Sequence, residues 1–216
     1  MHKTFLLFLF LLFLINSVKC QDDFTFPKSG DIGLNITNVL SSFIGNSSNQ
    51  DNIASYPFVA KLNYGRNAVR FGVGFTFDNS NETFVNIEQF IFNNYQLNAR
   101  VGWERKKYLG NRFGFYYGLD LVTMIKNEET TVSNSIDVTS IRTDTQGLGG
   151  GLVYGFEYYI NKFMYLGTEG NIYGLYKISK RTESFQFNMD INSERKIIGF
   201  EAQITPPVNL YVMVRF

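Results

Sequence analysis

The chain has 216 residues, with 20 Lys and Arg against 19 Asp and Glu, which gives a formal net charge of +1 at pH 7. This balance gives no support to nucleic-acid binding, which depends on a surplus of cations. The length fits a single domain. The sequence contains one His and one Cys, His2 and Cys20, both close to its start.

The first 20 residues have the order of a signal peptide. His2 and Lys3 precede an unbroken apolar run, Phe5 to Ile15, and a more polar stretch ends at Cys20. The run is well short of the about 20 residues that a membrane-spanning helix needs. Small residues at positions 18 and 20 predict cleavage before Gln21. The alternative is a lipoprotein acylated at Cys20, and Lys19 argues against it because such signals have a small residue there.

Cleavage before Gln21 would leave residues 21–216 as one domain without His or Cys. It would also remove Lys3 and Lys19, so the formal charge would change from +1 to −1. Disulfides, thiol nucleophiles, imidazole bases and His or Cys metal ligands are then excluded. No spacing of Ser, Lys or carboxylate residues indicates another catalytic site. We therefore expect a non-enzymatic protein with no cofactor and no metal.

Alternation of apolar and polar residues recurs along the remaining chain and predicts eight β-strands. The apolar positions are Ile32, Leu34 and Ile36; Phe58, Ala60, Leu62 and Tyr64; Val69, Phe71, Val73, Phe75 and Phe77; Tyr95, Leu97, Ala99, Val101 and Trp103; Phe113, Phe115, Tyr117, Leu119 and Leu121; and Leu148, Leu152, Tyr154, Phe156 and Tyr158. The seventh strand, Met164 to Tyr176, is the least regular. The eighth keeps its apolar residues at even positions from Ile198 to Phe216, across Pro206-Pro207, which predicts a bulge or edge irregularity at the prolines.

The predicted connections alternate in length. Short ones lie at Gly65-Arg66-Asn67, around Lys107 to Asn111 and at Ile160-Asn161-Lys162, whereas Gly45 to Ser55, Asp78 to Asn94, Ile125 to Gln146 and Lys177 to Lys196 are long and polar. Short turns at one end and long loops at the other are typical of membrane barrels. No second apolar run is long enough for a membrane helix. The sequence predicts an all-β fold, an eight-stranded antiparallel up-and-down transmembrane β-barrel.

The last residues carry a more specific pattern, with apolar side chains at Leu210, Val212 and Val214 before the final Phe216. This pattern resembles the C-terminal assembly signal of outer-membrane barrels. Together with a start at Gln21 and the Lys28-Ser29-Gly30-Asp31 entry into the first strand, the chain is similar to small outer-membrane β-barrel proteins of Bacteroidota. The resemblance covers nearly the whole chain after the leader. It implies residence in the bacterial outer membrane, contact with its lipids, and recognition of the last strand by the barrel assembly machinery.

If the apolar faces meet lipid, the opposite faces fill the lumen with charges of both signs. The predicted lumen charge network is Lys61, Arg70, Arg100, Glu104, Arg112, Asp120, Glu157, Glu169, Glu201 and Arg215, with Asp31 near one mouth. An eight-stranded barrel is only about wide enough for its own side chains, and buried charges need partners. We therefore expect a closed polar plug, and a narrow path for small solutes is the alternative.

Several aromatic residues lie near predicted strand ends, where amphipathic rings suit the level of lipid headgroups. They are Tyr95, Trp103, Tyr108, Tyr158, Tyr165 and Tyr211. The leading hypothesis for function is a structural or surface-interaction role through the long outer loops. The alternatives are a narrow outer-membrane channel and a soluble secreted lipocalin-like barrel, in which the apolar face would line a ligand cavity. The external partner is not identified by the sequence.

Overall fold

The computed structural model describes residues 28–37, 56–84, 88–133, 138–185 and 193–216. They form eight strands: β1 (Ser29–Asn35), β2 (Phe58–Tyr64), β3 (Asn67–Phe84), β4 (Glu88–Tyr108), β5 (Phe113–Ser133), β6 (Val138–Tyr159), β7 (Met164–Phe185) and β8 (Ser193–Arg215). Each strand pairs antiparallel with the next one, and β8 pairs with β1, so the sheet closes into a barrel. The predicted eight-stranded antiparallel up-and-down barrel is confirmed. The predicted signal peptide, residues 1–20, lies outside the described residues.

The seam between β1 and β8 extends to Phe216. The backbone N–H of Gly30 donates to the carbonyl of Phe216 at 3.0 Å, and the N–H of Phe216 donates back to the carbonyl of Gly30 at 2.9 Å. A Cβ at Gly30 would lie 2.6 Å from the Phe216 ring. The final aromatic residue therefore packs where the first strand has no side chain.

The short connections are confirmed, since β2–β3, β4–β5 and β6–β7 are joined by residues 65–66, 109–112 and 160–163. Gly65 and Gly110 have φ of 66° and 100°, which favours glycine. We call this end of the barrel the turn end and the opposite end the far end. No helix within the described ranges is long and apolar enough to cross a membrane.

The long loops predicted at Asp78–Asn94, Ile125–Gln146 and Lys177–Lys196 are wrong, because these segments are mostly strand. Their antiparallel pairing continues to Phe84↔Glu88, Ser133↔Val138 and Glu183↔Ser193. None of the three contains Gly or Pro. Polar residues on both faces remove the alternation without preventing strand formation, so the composition resembled a loop. The segment predicted as a loop at Gly45–Ser55 lies outside the described residues.

The barrel wall is taller on one side than on the other. β1 and β2 have seven residues each, whereas β3 to β8 have 18 to 23. The pairing of β2 with β3 stops at Val73, and the pairing of β1 with β8 stops at Tyr211. The far half of the described sheet is therefore built from β3 to β8.

The prolines of β8 lie at an irregularity in its pairing with β7. The register changes from Glu169↔Asn209 to Asn171↔Thr205, so β8 contains two extra residues at this point. Two extra residues leave the side-chain alternation unchanged. Even-numbered residues of β8 point outward on both sides of Pro206-Pro207, from Ile204 to Val214. The predicted bulge with a continuous apolar face is confirmed.

Two glycines on the inner face of β6 allow a direct prediction about strand packing. A Cβ at Gly151 would lie 1.9 Å from the carbonyl oxygen of Ile172, whereas a Cβ at Gly147 would meet only side-chain atoms at 3.5 Å or more. We expect Gly151→Ala to lower the free energy of unfolding by about 1 to 3 kcal/mol, because β7 must move. Gly147→Ala is the matched control and should change it little. Urea midpoints of the refolded proteins measure both, and equal midpoints would contradict the close approach.

Candidate functional site

Among the described residues, the lumen holds ten buried charged side chains, five of each sign, which we call the charge network. They are Asp31, Lys61, Arg70, Arg100, Glu104, Lys106, Asp120, Glu157, Glu169 and Arg215, and all are at most 8% exposed. Every strand supplies at least one of them, because each occupies the inward parity of its strand. Strand alternation thus places residues far apart in sequence in one small volume.

Arg70 is at the centre of this network. Its guanidinium lies 3.2 Å from Glu104 and 3.3 Å from Asp120, and it also donates to Glu169. The side chain has no solvent exposure. A second guanidinium, that of Arg100, donates to the same Glu169 carboxylate and lies 3.5 Å from Asp120. Two arginines therefore share two carboxylates in the middle of the lumen.

Aromatic side chains surround this centre. The Tyr173 hydroxyl donates to Asp120 at 2.5 Å, and that of Tyr116 to Glu169 at 3.3 Å. The Arg100 guanidinium lies over the Tyr56 ring, 4.2 Å from its centroid. Aromatic rings stabilise buried cations by cation–π contact, and tyrosine hydroxyls donate hydrogen bonds to buried carboxylates. Both interactions replace contacts that water would otherwise make.

Two lysines of the charge network lie between its centre and the turn end. The Lys61 ammonium lies 3.0 Å from Glu104 and 2.9 Å from Glu157, and that of Lys106 lies 3.1 Å from Glu157. Next to them, Arg215 binds Asp31 through two hydrogen bonds of 2.9 and 3.0 Å. The Arg215–Asp31 pair joins β8 to β1 on the lumen side of the seam, so it reinforces barrel closure.

Glycines provide the space for these long side chains. In the strand register, the charges face glycine repeatedly: Arg70↔Gly102, Arg100↔Gly72, Glu104↔Gly118, Asp120↔Gly151, Glu157↔Gly167 and Glu169↔Gly155. At Gly102, an added Cβ would lie 1.9 Å from the Asp120 carboxylate. The lumen is thus filled by charged side chains that cross over bare backbone.

The charge network is neutral in sum. Five cations and five anions offset one another, as a dry interior requires. On the far side, the buried apolar residues Val122, Met124 and Leu175 cover the charge network. Across the described ranges, no group of acidic, His or Cys residues is arranged to hold a metal ion. The site can therefore hold the strands in register.

Eight of the ten predicted lumen charges lie in the charge network, and two do not. Arg112 is exposed, because β5 begins only at Phe113 and Arg112 belongs to the turn before it. Glu201 is half-buried in the far half, where it pairs with Lys177. Lys106 was missed because the turn was predicted to begin next to it. Its parity with Glu104 would have indicated an inward position.

The predicted aromatic girdle is correct in part. Tyr95 and Trp103 are exposed on the outer face, and Tyr158 is half-exposed there. Tyr108 has the inward parity of β4 and packs against the buried residues inside the barrel. Tyr165 and Tyr211 also point into the lumen and are 1% and 3% exposed. Tyr165 donates a 2.7 Å hydrogen bond to Asp31. A tyrosine suits either face because it has an apolar ring and a polar hydroxyl. The residue type alone therefore does not predict whether the side chain points to the lumen or to the outside.

The residues of the predicted assembly signal all lie on the outer face of β8. Leu210 and Val212 are half-exposed, and Val214 and Phe216 are exposed, the last by 73%. In the far half, a separate cavity of about 280 Å³ is bordered by Lys126, Glu128, Lys177 and Glu201, among others. The Lys126–Glu128 pair at 2.8 Å and the Lys177–Glu201 pair neutralise its wall.

The fold and the lumen together define an eight-stranded antiparallel barrel with an apolar outer face and a charged core. No protein-family model matches the chain, and no curated protein is significantly similar to it. Among solved structures, it is similar to the crystal structure of a major outer membrane protein from Thermus thermophilus. The two share 15% identity with a TM-score of 0.41, and the match covers 88% of this chain and 98% of that one. A likeness at this level carries no functional argument, so function is inferred from the barrel itself.

Proposed function

We propose that the chain is a non-enzymatic outer-membrane β-barrel protein whose lumen is closed and whose polar far end faces outward from the cell. The observation that carries the proposal is the belt of exposed apolar side chains around the barrel. In water such a belt would be a very large exposed apolar surface. In a bilayer it is the expected lipid-facing surface.

The height of the belt fits a bilayer. Along β5, outward positions are apolar from Phe113 to Ile125 except for Thr123, and the outward residues that follow begin with Asn127 and Glu129. Twelve residues at about 3.3 Å each, tilted by about 45°, rise about 28 Å. The apolar band of membrane barrels is about 25 Å tall.

Aromatic residues mark both borders of the belt. On the far side, Phe77 packs against Tyr95 with ring centroids 5.0 Å apart. On the turn side, Phe113 packs against Tyr158, also at 5.0 Å, and Trp103 is exposed. Rings at both borders of an apolar band are typical of the two headgroup levels of a membrane.

The lipocalin-like alternative requires the opposite arrangement of faces, because its apolar face would line an internal cavity. Here the interior carries the charge network, which also argues against a solute path. In a water-filled channel the charged side chains would line the wall and face water. In this lumen the charged side chains instead form ion pairs with one another. We therefore favour a structural or surface-interaction role for the far end.

Three finer parts of the proposal rest on sequence patterns. A leader over residues 1–20 would export the chain, and the outward row from Leu210 to Phe216 would be read by the barrel assembly machinery. The same C-terminal pattern supports membership of the small outer-membrane barrels of Bacteroidota. The far end, where the side chains of β3 to β8 are mostly polar, is the surface that would meet an external partner.

Gel mobility and conductance test the proposal together. We expect the protein without its leader to require detergent, to migrate differently before and after boiling, and to give no stable conductance in a planar bilayer. Migration that boiling does not change, together with solubility in buffer, would support the lipocalin-like barrel instead. A heat-modifiable protein with steady unitary conductance would support the narrow channel.

A further inference from the structure

The turn end of the barrel carries a ring of surface cations. They are Lys28, Arg66, Arg105, Lys107, Arg112 and Lys162, which we call the rim cations; Lys107 is half-buried and the others are exposed. They come from the start of β1 and from all three short turns or the strand ends beside them. The ring therefore surrounds the whole turn end.

The described residues contribute little negative charge around this ring. Among the described residues at the turn end, every Asp and Glu belongs to the charge network and is buried with its own cations. Asp22 and Asp23 precede Lys28 in the sequence and lie outside the described residues. Counting both against the six rim cations still leaves a surplus of positive charge at this end.

The far end has a different charge pattern. Its cations form ion pairs at the surface, including Arg142–Asp144 at 3.2 Å, Lys180–Glu194 at 3.0 Å and Arg181–Glu183 at 2.8 Å. Charges of both signs are thus mixed there, whereas the exposed charged side chains among the described residues of the turn end are all Lys or Arg. The difference indicates a partner of opposite charge at the turn end only.

The rim cations also lie at the border of the apolar belt. Arg105 is two residues from Trp103 on the same outward face of β4, and both are exposed. Arg112 directly precedes Phe113, and Lys162 directly precedes Phe163, whose rings are 54% and 68% exposed. Cations beside exposed rings lie where lipid phosphates meet acyl chains.

We propose that the rim cations bind the anionic headgroups of phospholipids in the leaflet at the turn end. This inference rests on the proposed membrane location and adds a lipid preference to it. The ring would enrich lipids with net negative charge, such as phosphatidylglycerol, over zwitterionic ones around this end of the barrel. Each Lys or Arg close to an anionic membrane surface strengthens binding by about fivefold. The ring would thereby also fix the depth of the turn end at the headgroup level.

Trp103 offers a reporter at this site, since it is the one tryptophan of the chain. The refolded protein is reconstituted into vesicles of phosphatidylcholine with a minor share of phosphatidylglycerol, and either lipid is brominated in turn to quench Trp103. The ratio of the two quenching efficiencies, corrected for composition, gives the local preference. We expect a preference for phosphatidylglycerol of about fivefold or more, reduced by high salt.

Two matched variants test whether the rim cations cause the lipid preference. Replacing Arg66, Arg105, Arg112 and Lys162 by Gln should bring the ratio close to one. Replacing Arg142, Lys180, Arg181 and Lys196 by Gln removes the same charge from the far end and should leave the ratio unchanged. A wild-type ratio of one, or an equal loss in both variants, would overturn the proposal.

Two further outcomes separate this inference from the membrane location. If neither brominated lipid quenches Trp103, the barrel is not in the bilayer, and both proposals fail. If both lipids quench it with a ratio of one, only the lipid preference fails. Co-sedimentation with purified peptidoglycan that needs the rim cations, together with a ratio of one, would assign the ring to an anionic wall polymer instead.

Discussion

Replacing Arg70 by methionine is expected to lower the free energy of unfolding by about 3 to 5 kcal/mol, because the change leaves buried carboxylates without their shared cation. Arg70 has no solvent exposure and contacts Glu104, Asp120 and Glu169. Methionine fills much of the volume, so the loss reports charge rather than a cavity. The measurement is the urea midpoint of the protein refolded in lipid vesicles, followed by the mobility of the folded form on a gel.

The control is Arg142→Met at the far end. Arg142 pairs with Asp144 at 3.2 Å, and their side chains are 57% and 41% exposed. Exposed pairs of this kind contribute about 0 to 1 kcal/mol. Adding Glu169→Gln to Arg70→Met removes one of the stranded charges and should recover part of the loss. An Arg70→Met midpoint equal to that of the control would mean that water reaches the lumen, and it would favour the narrow channel.

The sequence predicts the barrel well because lipid and lumen demand opposite side chains, and a strand presents them at alternate residues. The apolar row from Phe113 to Leu121 and the even-numbered row of β8 needed no further information. Where both faces are polar, as between Ile125 and Gln146, this signal vanishes. The strands continue there on backbone pairing that composition does not reveal.

The charge network shows a second limit of the sequence. Parity predicted that Arg70 and Glu169 point inward, yet 99 residues separate them, and their contact depends on the register of every strand from β3 to β7. Lys106 has the same parity as Glu104, which indicates an inward side chain. Lys106 was missed only because the fourth strand was predicted to end too early. The ion pairs inside the lumen therefore depend on the register of the strands, which cannot be derived from a single sequence.

Replacing Leu121 by arginine is expected to cost about 2 to 4 kcal/mol in a bilayer, as charges do at the middle of the lipid face. Leu121 is 56% exposed and lies within the belt on β5. Thr131→Arg is the matched control, since Thr131 points outward from the same strand beyond Ile125 and outside the belt. It should change stability by less than about 1 kcal/mol. Urea unfolding in vesicles measures both variants. Because a soluble barrel would accept either arginine on its wet outer face, equal midpoints for the two variants would contradict the membrane location itself.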